Sequence, residues 1–237
     1  MDGHRFTRRA SLLKLGGFAA ALVGASAWKT RWFGGGSGEA SASGGPAAVA
    51  SGAVKCVLAP EQTEGPYYIA DEKLRRNITE GRPGTRLTLR LTVVDASTCK
   101  PIKGAAVDIW HCDAGGVYSG FGAGSANRTF MRGIQKTDAK GIATFRTVYP
   151  GWYAGRTVHI HIKVHAGGNV VHTGQLYFPD GLTDAVFKKS PYSKRPGRTT
   201  RNATDSVYRN GGKNSLLKLR RSGAGYLGAI TIGVHRS

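Results

Sequence analysis

The stretch TVHIHIKVH, Thr157 to His165, constrains the fold more than any other part of the chain. Val158, Ile160, Ile162 and Val164 alternate with His159, His161, Lys163 and His165, which is the period of a β-strand with one apolar and one polar face. Three of the chain's seven histidines share that polar face. A surface strand needs no such density. A buried strand avoids it unless the imidazoles do chemistry.

Other segments repeat the two-residue period. RLTLRLTVVD sets Leu87, Leu89, Leu91 and Val93 against Thr88, Arg90 and Thr92. AAVDIWHC, GIATFRTVY, VVHTGQLYF and GYLGAITIGV read as further strands, separated by turns rich in Gly, Pro and Asp. Helical periodicity is confined to a short stretch, Thr183 to Lys189. Short strands punctuated by turns predict an all-β domain, an antiparallel β-sandwich with long loops. There is no internal repeat.

The folded domain is expected over 56–237. Residues 28–55, rich in Gly, Ala and Ser from Gly34 to Gly52 with one Pro, are read as a disordered linker that cannot build a core. The first 27 residues combine a basic flank, a short apolar run and the small-residue site Ala25-Ser26-Ala27, the three parts of an export signal. Arg8-Arg9 ahead of Ser11-Leu12-Leu13-Lys14 resembles a twin-arginine signal. The expectation is cleavage after Ala27 and export to the periplasm, cell envelope or medium. A retained membrane anchor is the alternative, against which the apolar run is short.

The net charge is +20, and +17 once Arg5, Arg8, Arg9, Lys14 and Asp2 leave with the signal. Its densest regions are Phe187 to Arg201 and Lys218 to Arg221. No nucleic-acid motif accompanies them, so a solvated basic face is read, with association to an anionic cell envelope as its use. An oxidising compartment favours one disulfide among Cys56, Cys99 and Cys112. The preferred pair is Cys56–Cys99, since both lie in turn-like segments, although sequence does not fix it. The sequons at Asn77, Asn127 and Asn202 carry little weight beside a bacterial export signal.

His159 and His161, two apart on a strand, project to one side as a pair of adjacent metal ligands would. Left alone, they would read equally as surface histidines. Tyr153 at the turn into this strand and Tyr118 beyond another strand complete a hard two-nitrogen, two-oxygen set. A bound cation lowers a phenol's pKa far below its usual value of about 10, and a trivalent ion does so best, so Fe(III) is the natural occupant.

From Cys56 to about Phe178 the sequence resembles the intradiol ring-cleavage dioxygenases, the catechol and protocatechuate dioxygenase family. CVLAPEQTEGPYYI resembles the family's opening segment. GAAVDIWHCDAGGVYSGF carries Tyr118, FRTVYPGWYAGRTVHIHIKV carries Tyr153, Arg156, His159 and His161, and TGQLYFPD carries Gln175. The Tyr153 to Arg156 segment is shorter than in protocatechuate-type members, and no N-terminal helical dimerisation domain is expected. The pattern is that of a compact, exported, single-domain branch.

The resemblance implies non-haem Fe(III) held by Tyr118, Tyr153, His159 and His161 with a solvent hydroxide. It implies a catechol-type substrate that chelates as a dianion, displacing the hydroxide and one tyrosine, Tyr153. The ring is then cleaved by O2 between the hydroxyl-bearing carbons to a cis,cis-muconate. Arg156 is expected to stabilise the anionic ring and Gln175 to polarise oxygen or orient ligands. Tyr67 is placed at the pocket mouth or in packing. His111, His165 and His172 receive no role. Pocket walls are expected from 61–69, 120–132 and 191–201, and neither the particular catechol nor the oligomeric state follows. Two other classes remain: an exported β-sandwich binding module without turnover, and a basic polyanion binder.

Overall fold

A computed structural model describes residues 58–235 apart from 71, 72 and 123. The expected export signal, the linker and Cys56 lie outside the described residues. Eight strands form: β1 (Arg86–Asp95), β2 (Ala106–Trp110), β3 (Arg132–Lys136), β4 (Ile142–Val148), β5 (His159–Ala166), β6 (Asn169–Tyr177), β7 (Lys218–Ser222) and β8 (Gly225–Val234). Two short helices, α1 (Asp180–Phe187) and α2 (Ser206–Arg209), sit in the long connection from β6 to β7. Among the described residues no helix is long and apolar enough to cross a membrane.

The strands make two four-stranded sheets, ordered β4-β1-β8-β7 and β3-β2-β5-β6. Their facing sides form the core. Leu87, Leu89, Leu91 and Val93 of β1 and Phe145 of β4 meet Val107 and Ile109 of β2 and Ile160, Ile162 and Val164 of β5. All ten are at most 1% exposed, the expected fate of the apolar sides of alternating strands packed as a sandwich.

The expectation of a purely antiparallel sandwich needs one correction. β1 and β8 pair in parallel, Leu87 opposite Tyr226 and Asp95 opposite Val234. β8, the last described strand, is joined by a hairpin to β7 and not to β1, so no turn dictates its direction relative to β1. The remaining pairs are antiparallel. β3 (RGIQK) and β7 (KLRRS) are strands that periodicity missed. Both are five-residue sheet edges, and four of the five β7 side chains are exposed, so no apolar alternation marks them. The expected helix begins at Asp180, earlier than Thr183. Pro179, extended at φ −61°, precedes its first turn, and Thr183 and Val186 are buried.

Cys99 is disulfide-bonded. Cys112 is free and buried, its thiol pushed up to about 12 by burial. Its Sγ donates to the carbonyl of Gly151 at 3.5 Å.

Candidate metal centre

The first half of β5 is buried on both faces. Ile160, Ile162 and Val164 face the sandwich core, while His159 and His161, 2% and 1% exposed, face inward beneath the loops on the other side. The surface-histidine reading is thereby excluded. A left-handed Gly65 (φ +74°) lays the opening loop on the His161 ring. A Cβ there would lie 3.1 Å from Cε1, so both the backbone angle and the contact call for glycine.

Tyr118 stands on the loop after β2, shaped by Asp113. Its carboxylate Oδ1 accepts the amides of Gly115 at 2.9 Å and Val117 at 3.0 Å. Gly116 (φ +81°) packs against the carbonyl of Trp152, where a side chain would collide. The Gly151 amide donates to the carbonyl of Asp113 at 2.9 Å. These contacts stitch the loop of Tyr118 to the loop of Tyr153, although the two tyrosines are 35 residues apart in sequence. Tyr67 stacks on Tyr118 at 4.2 Å between ring centroids and meets Tyr153 edge-on at 6.2 Å. Its place is against both phenols.

The four expected donors converge. His159 Nδ1 donates to the carbonyl of Thr157 at 2.6 Å, which turns the lone pair of Nε2 into the site. That Nε2 lies 3.0 Å from Tyr153 Oη and 3.1 Å from His161 Nε2. Tyr118 Oη is buried without a hydrogen-bond partner of normal geometry, although the Tyr153 phenol is close enough to perturb it. His161 stacks on Trp110, ring centroids 4.9 Å apart and 5° from parallel.

Burial and the nearby Arg156 charge push the His159 imidazole down to about 3; burial and its charged neighbours hold His161 well below its usual range. Both rings are neutral and able to ligate. Burial raises Tyr153 to about 12 and Tyr118 well above the ordinary phenol. Two neutral nitrogens aimed at one another beside two buried phenols make a donor set suited to a cation. Among the described residues no three His, Cys, Asp or Glu side chains cluster as a metal site, so the tyrosines must complete any ligand set. That donor set fits a hard trivalent ion such as Fe(III).

Arg156 and Gln175 also meet at the site. Gln175 lies opposite His161 in the β5–β6 register. Its Oε1 accepts from Arg156 Nη2 and, at 3.1 Å, from the Tyr177 hydroxyl, and its Nε2 donates to the Thr63 carbonyl at 2.9 Å. Gln175 therefore holds Arg156 as well as flanking the histidines. His111 is a satisfied structural residue, bonded to the Cys112 carbonyl at 2.7 Å and Thr147 Oγ1 at 2.8 Å. His172 pairs with Glu61, and His165 is half-buried.

Sequence reasoning missed Asp205. Its fully buried carboxylate Oδ2 accepts Arg156 Nε at 2.9 Å and the Thr157 amide at 2.7 Å, while Oδ1 caps α2 at the Tyr208 amide. Since Thr157 orients His159, Asp205 braces both Arg156 and an imidazole of the cage. The cap was legible in Asp205-Ser206, but not its 49-residue reach to Arg156. Burial raises this carboxyl; the amides of Tyr208 and Thr157 and the charge of Arg156 outweigh it and leave it below the usual carboxylate range. A depressed folded value stabilises the protein above the unfolded carboxyl range and loses that contribution as pH falls through the folded value. Asp205→Asn should cost about 3 kcal/mol at pH 7 by urea denaturation. The gap to wild type should shrink as the pH falls below the ordinary carboxylate range. A pH-independent gap would contradict the assignment.

The fold and donor set define a β-sandwich protein with an internal cage of two imidazoles and two phenols. The family model described as "Dioxygenase" matches residues 63–194, more than half of the chain. An intradiol ring-cleavage dioxygenase from Tetranychus urticae superposes with a TM-score of 0.73 at 39% identity, covering 76% of this chain and 95% of that one. The dioxygenase domain of a carbohydrate-binding fusion protein from Streptomyces sp. SirexAA-E gives a TM-score of 0.60 at 34% identity, covering 76% and 99%. A chlorocatechol 1,2-dioxygenase from Cupriavidus pinatubonensis is 28% identical over 146 residues, 51% of this chain and 56% of the relative. The alignment thus spans little more than half the length of that curated relative. This chain belongs to the intradiol ring-cleavage dioxygenase family.

Proposed function

We propose that the protein is a non-haem Fe(III) dioxygenase that uses O2 to cleave a catechol-type ring between its two hydroxyl-bearing carbons, giving a cis,cis-muconate-type product. The observation that carries the reading is the convergence of His159 Nε2, His161 Nε2 and Tyr153 Oη within 3.1 Å steps beside the buried, partnerless Tyr118 hydroxyl. Those four residues would hold the iron. Such an ion, bound there, would supply Lewis-acid binding of the substrate's two oxygens and electronic activation of the ring toward O2.

The remaining work falls to the chain. Thr157 and Asp205 fix the His159 ring, and Trp110 fixes His161. Tyr118 is the buried, stationary phenol. Tyr153 is half-buried, and free of the metal its phenol titrates near 12, so its released phenolate is basic enough to take a hydroxyl proton from the substrate at Oη. Arg156, clamped by Asp205 and Gln175, faces the site with a fixed positive charge for the anionic ring. Oxygen consumption against a panel of catechols, alongside iron analysis, tests the reading. Iron-loaded protein that consumes no oxygen with any catechol would count for a binding module instead.

The Arg8-Arg9 pair ahead of a short apolar run supports export from the cytoplasm as part of the proposal. Export through a twin-arginine route requires both guanidiniums of Arg8 and Arg9. With both replaced by Lys, the uncleaved protein is expected to remain in the cytoplasmic fraction. Undiminished delivery would contradict this route.

A further inference from the structure

The charge of this chain is distributed differently in space than along the sequence. In the densest basic run, 187–201, the three arginines are engaged within the protein. Arg198 pairs with Asp180 and Asp184, Arg201 pairs with Asp184, and Arg195 caps the carbonyls of Gly115 and Trp152 and covers the Trp152 ring. Cations that are far apart in sequence assemble instead on the outer face of the β4-β1-β8-β7 sheet.

The registers define that face. Arg146, Thr88, Leu227 and Arg220 form one row across the four strands, and Thr144, Arg90, Ala229 and Lys218 form the next. Arg86 follows on the same side of β1. Arg86, Arg90, Arg146, Lys218 and Arg220 are exposed, and none has an ion pair or side-chain hydrogen bond with a described residue. The one acid in these strands, Asp95, shares the core-facing parity of Leu91 and Val93 and is bound to Ser97 and Thr98. At strand spacings of ~4.8 Å and ~6.8 Å per residue pair, the five cations occupy a patch roughly 14 Å on each side. At the Lys218 end the patch runs into a groove of about 500 Å3, lined by Lys213, Asn214, Thr92 and Thr231 over Leu216 and Ile230.

We propose that this face and groove dock a linear anionic polysaccharide of the polyuronate type. The cations supply the attraction, and guanidiniums match carboxylates in two-point fashion. Thr88, Thr92, Thr144 and Thr231 supply hydroxyl partners for a hydroxylated chain. The composition of the face argues against single-stranded nucleic acid and a bilayer as its occupant. No aromatic side chain stands on it to stack bases, as single-stranded nucleic acid requires. The exposed large apolar residues, Leu74, Val117 and Val170, lie outside these strands, so the face has no large exposed anchor for a bilayer. Such docking would hold the enzyme on an acidic matrix without involving the metal centre, and it does not depend on the reaction proposed above.

The test is affinity co-electrophoresis of the full mature protein through polygalacturonate. Neutral galactan, a single-stranded oligonucleotide and phosphatidylglycerol vesicles serve as comparison probes. Wild type should be retarded by polygalacturonate at low salt and not by galactan, and raising the salt fourfold should weaken binding ~10-fold or more. Arg90→Glu, Arg146→Glu and Lys218→Glu together should weaken polygalacturonate binding by ~10-fold or more at fixed salt while the circular dichroism spectrum is unchanged. Lys188→Glu, Lys189→Glu and Lys194→Glu make the same change in net charge elsewhere and should weaken it far less. Equal losses in the two triple variants would overturn the proposal in favour of net charge. Absent binding, or tighter binding to the oligonucleotide or the vesicles, would overturn it as well.

Discussion

The His161→Ala protein is expected to purify with almost no iron and to lose turnover in proportion. His161 supplies one of only two nitrogens in the cage, its Nε2 3.1 Å from that of His159. Losing even an outer partner of a metal ligand costs roughly 10–100-fold in affinity, so losing a ligand should cost ~100-fold or more. The fold should survive, because the sandwich core lies on the opposite face of β5, at Ile160, Ile162 and Val164. His165→Ala is the matching control. It alters a half-buried histidine of the same strand and should leave iron near one per chain. Equal iron in wild type and His161→Ala would remove His161 from the ligand set.

The two tyrosines should separate by colour. Phenolate bound to Fe(III) gives a charge-transfer band, so the purified protein is expected to be red to burgundy. Tyr118→Phe and Tyr153→Phe should both change the resting spectrum. They should differ once an anaerobic catechol is added. Tyr118 is buried beneath Tyr67, with no alternative hydrogen-bond partner of normal geometry, so it has nowhere else to go. Tyr153 sits at the chain turn before Arg156, half-buried, and its phenol feels the Arg156 charge that would receive a displaced phenolate. The catechol complex of Tyr153→Phe should therefore look nearly like that of wild type, whereas that of Tyr118→Phe should not. Visible absorption and resonance Raman spectroscopy give the readout. The reverse pattern would exchange the roles of the two residues, and a colourless iron-loaded wild type would remove both.

Much of the cage was legible because a strand's two-residue period is visible in sequence. GYLGAITIGV became β8 and RLTLRLTVVD became β1, residue for residue, and His159 and His161 share a face as their spacing requires. What escaped depends on partners distant in the chain. Asp205 holds Arg156 and Thr157 only because the β6–β7 connection folds back over the entrance to β5. β3 and β7 escaped as short edge strands, whose residues need not alternate to be paired. The basic face escaped for a related reason. Arg90, Arg146 and Lys218 become neighbours only through sheet registers, one pair of them parallel. Local density pointed to Lys218 to Arg221, which joins this face, and to 187–201, where Arg198 and Arg201 are balanced by Asp180 and Asp184.

The reaction itself is tested most directly by mass analysis of the product formed from catechol under oxygen-18 gas. Cleavage between the hydroxyl-bearing carbons by a dioxygenase should give cis,cis-muconate, with both atoms of one O2 retained apart from partial exchange with water. A semialdehyde from cleavage beside the hydroxyls, a product with oxygen only from water, or unchanged catechol in the presence of iron-loaded protein would contradict the account.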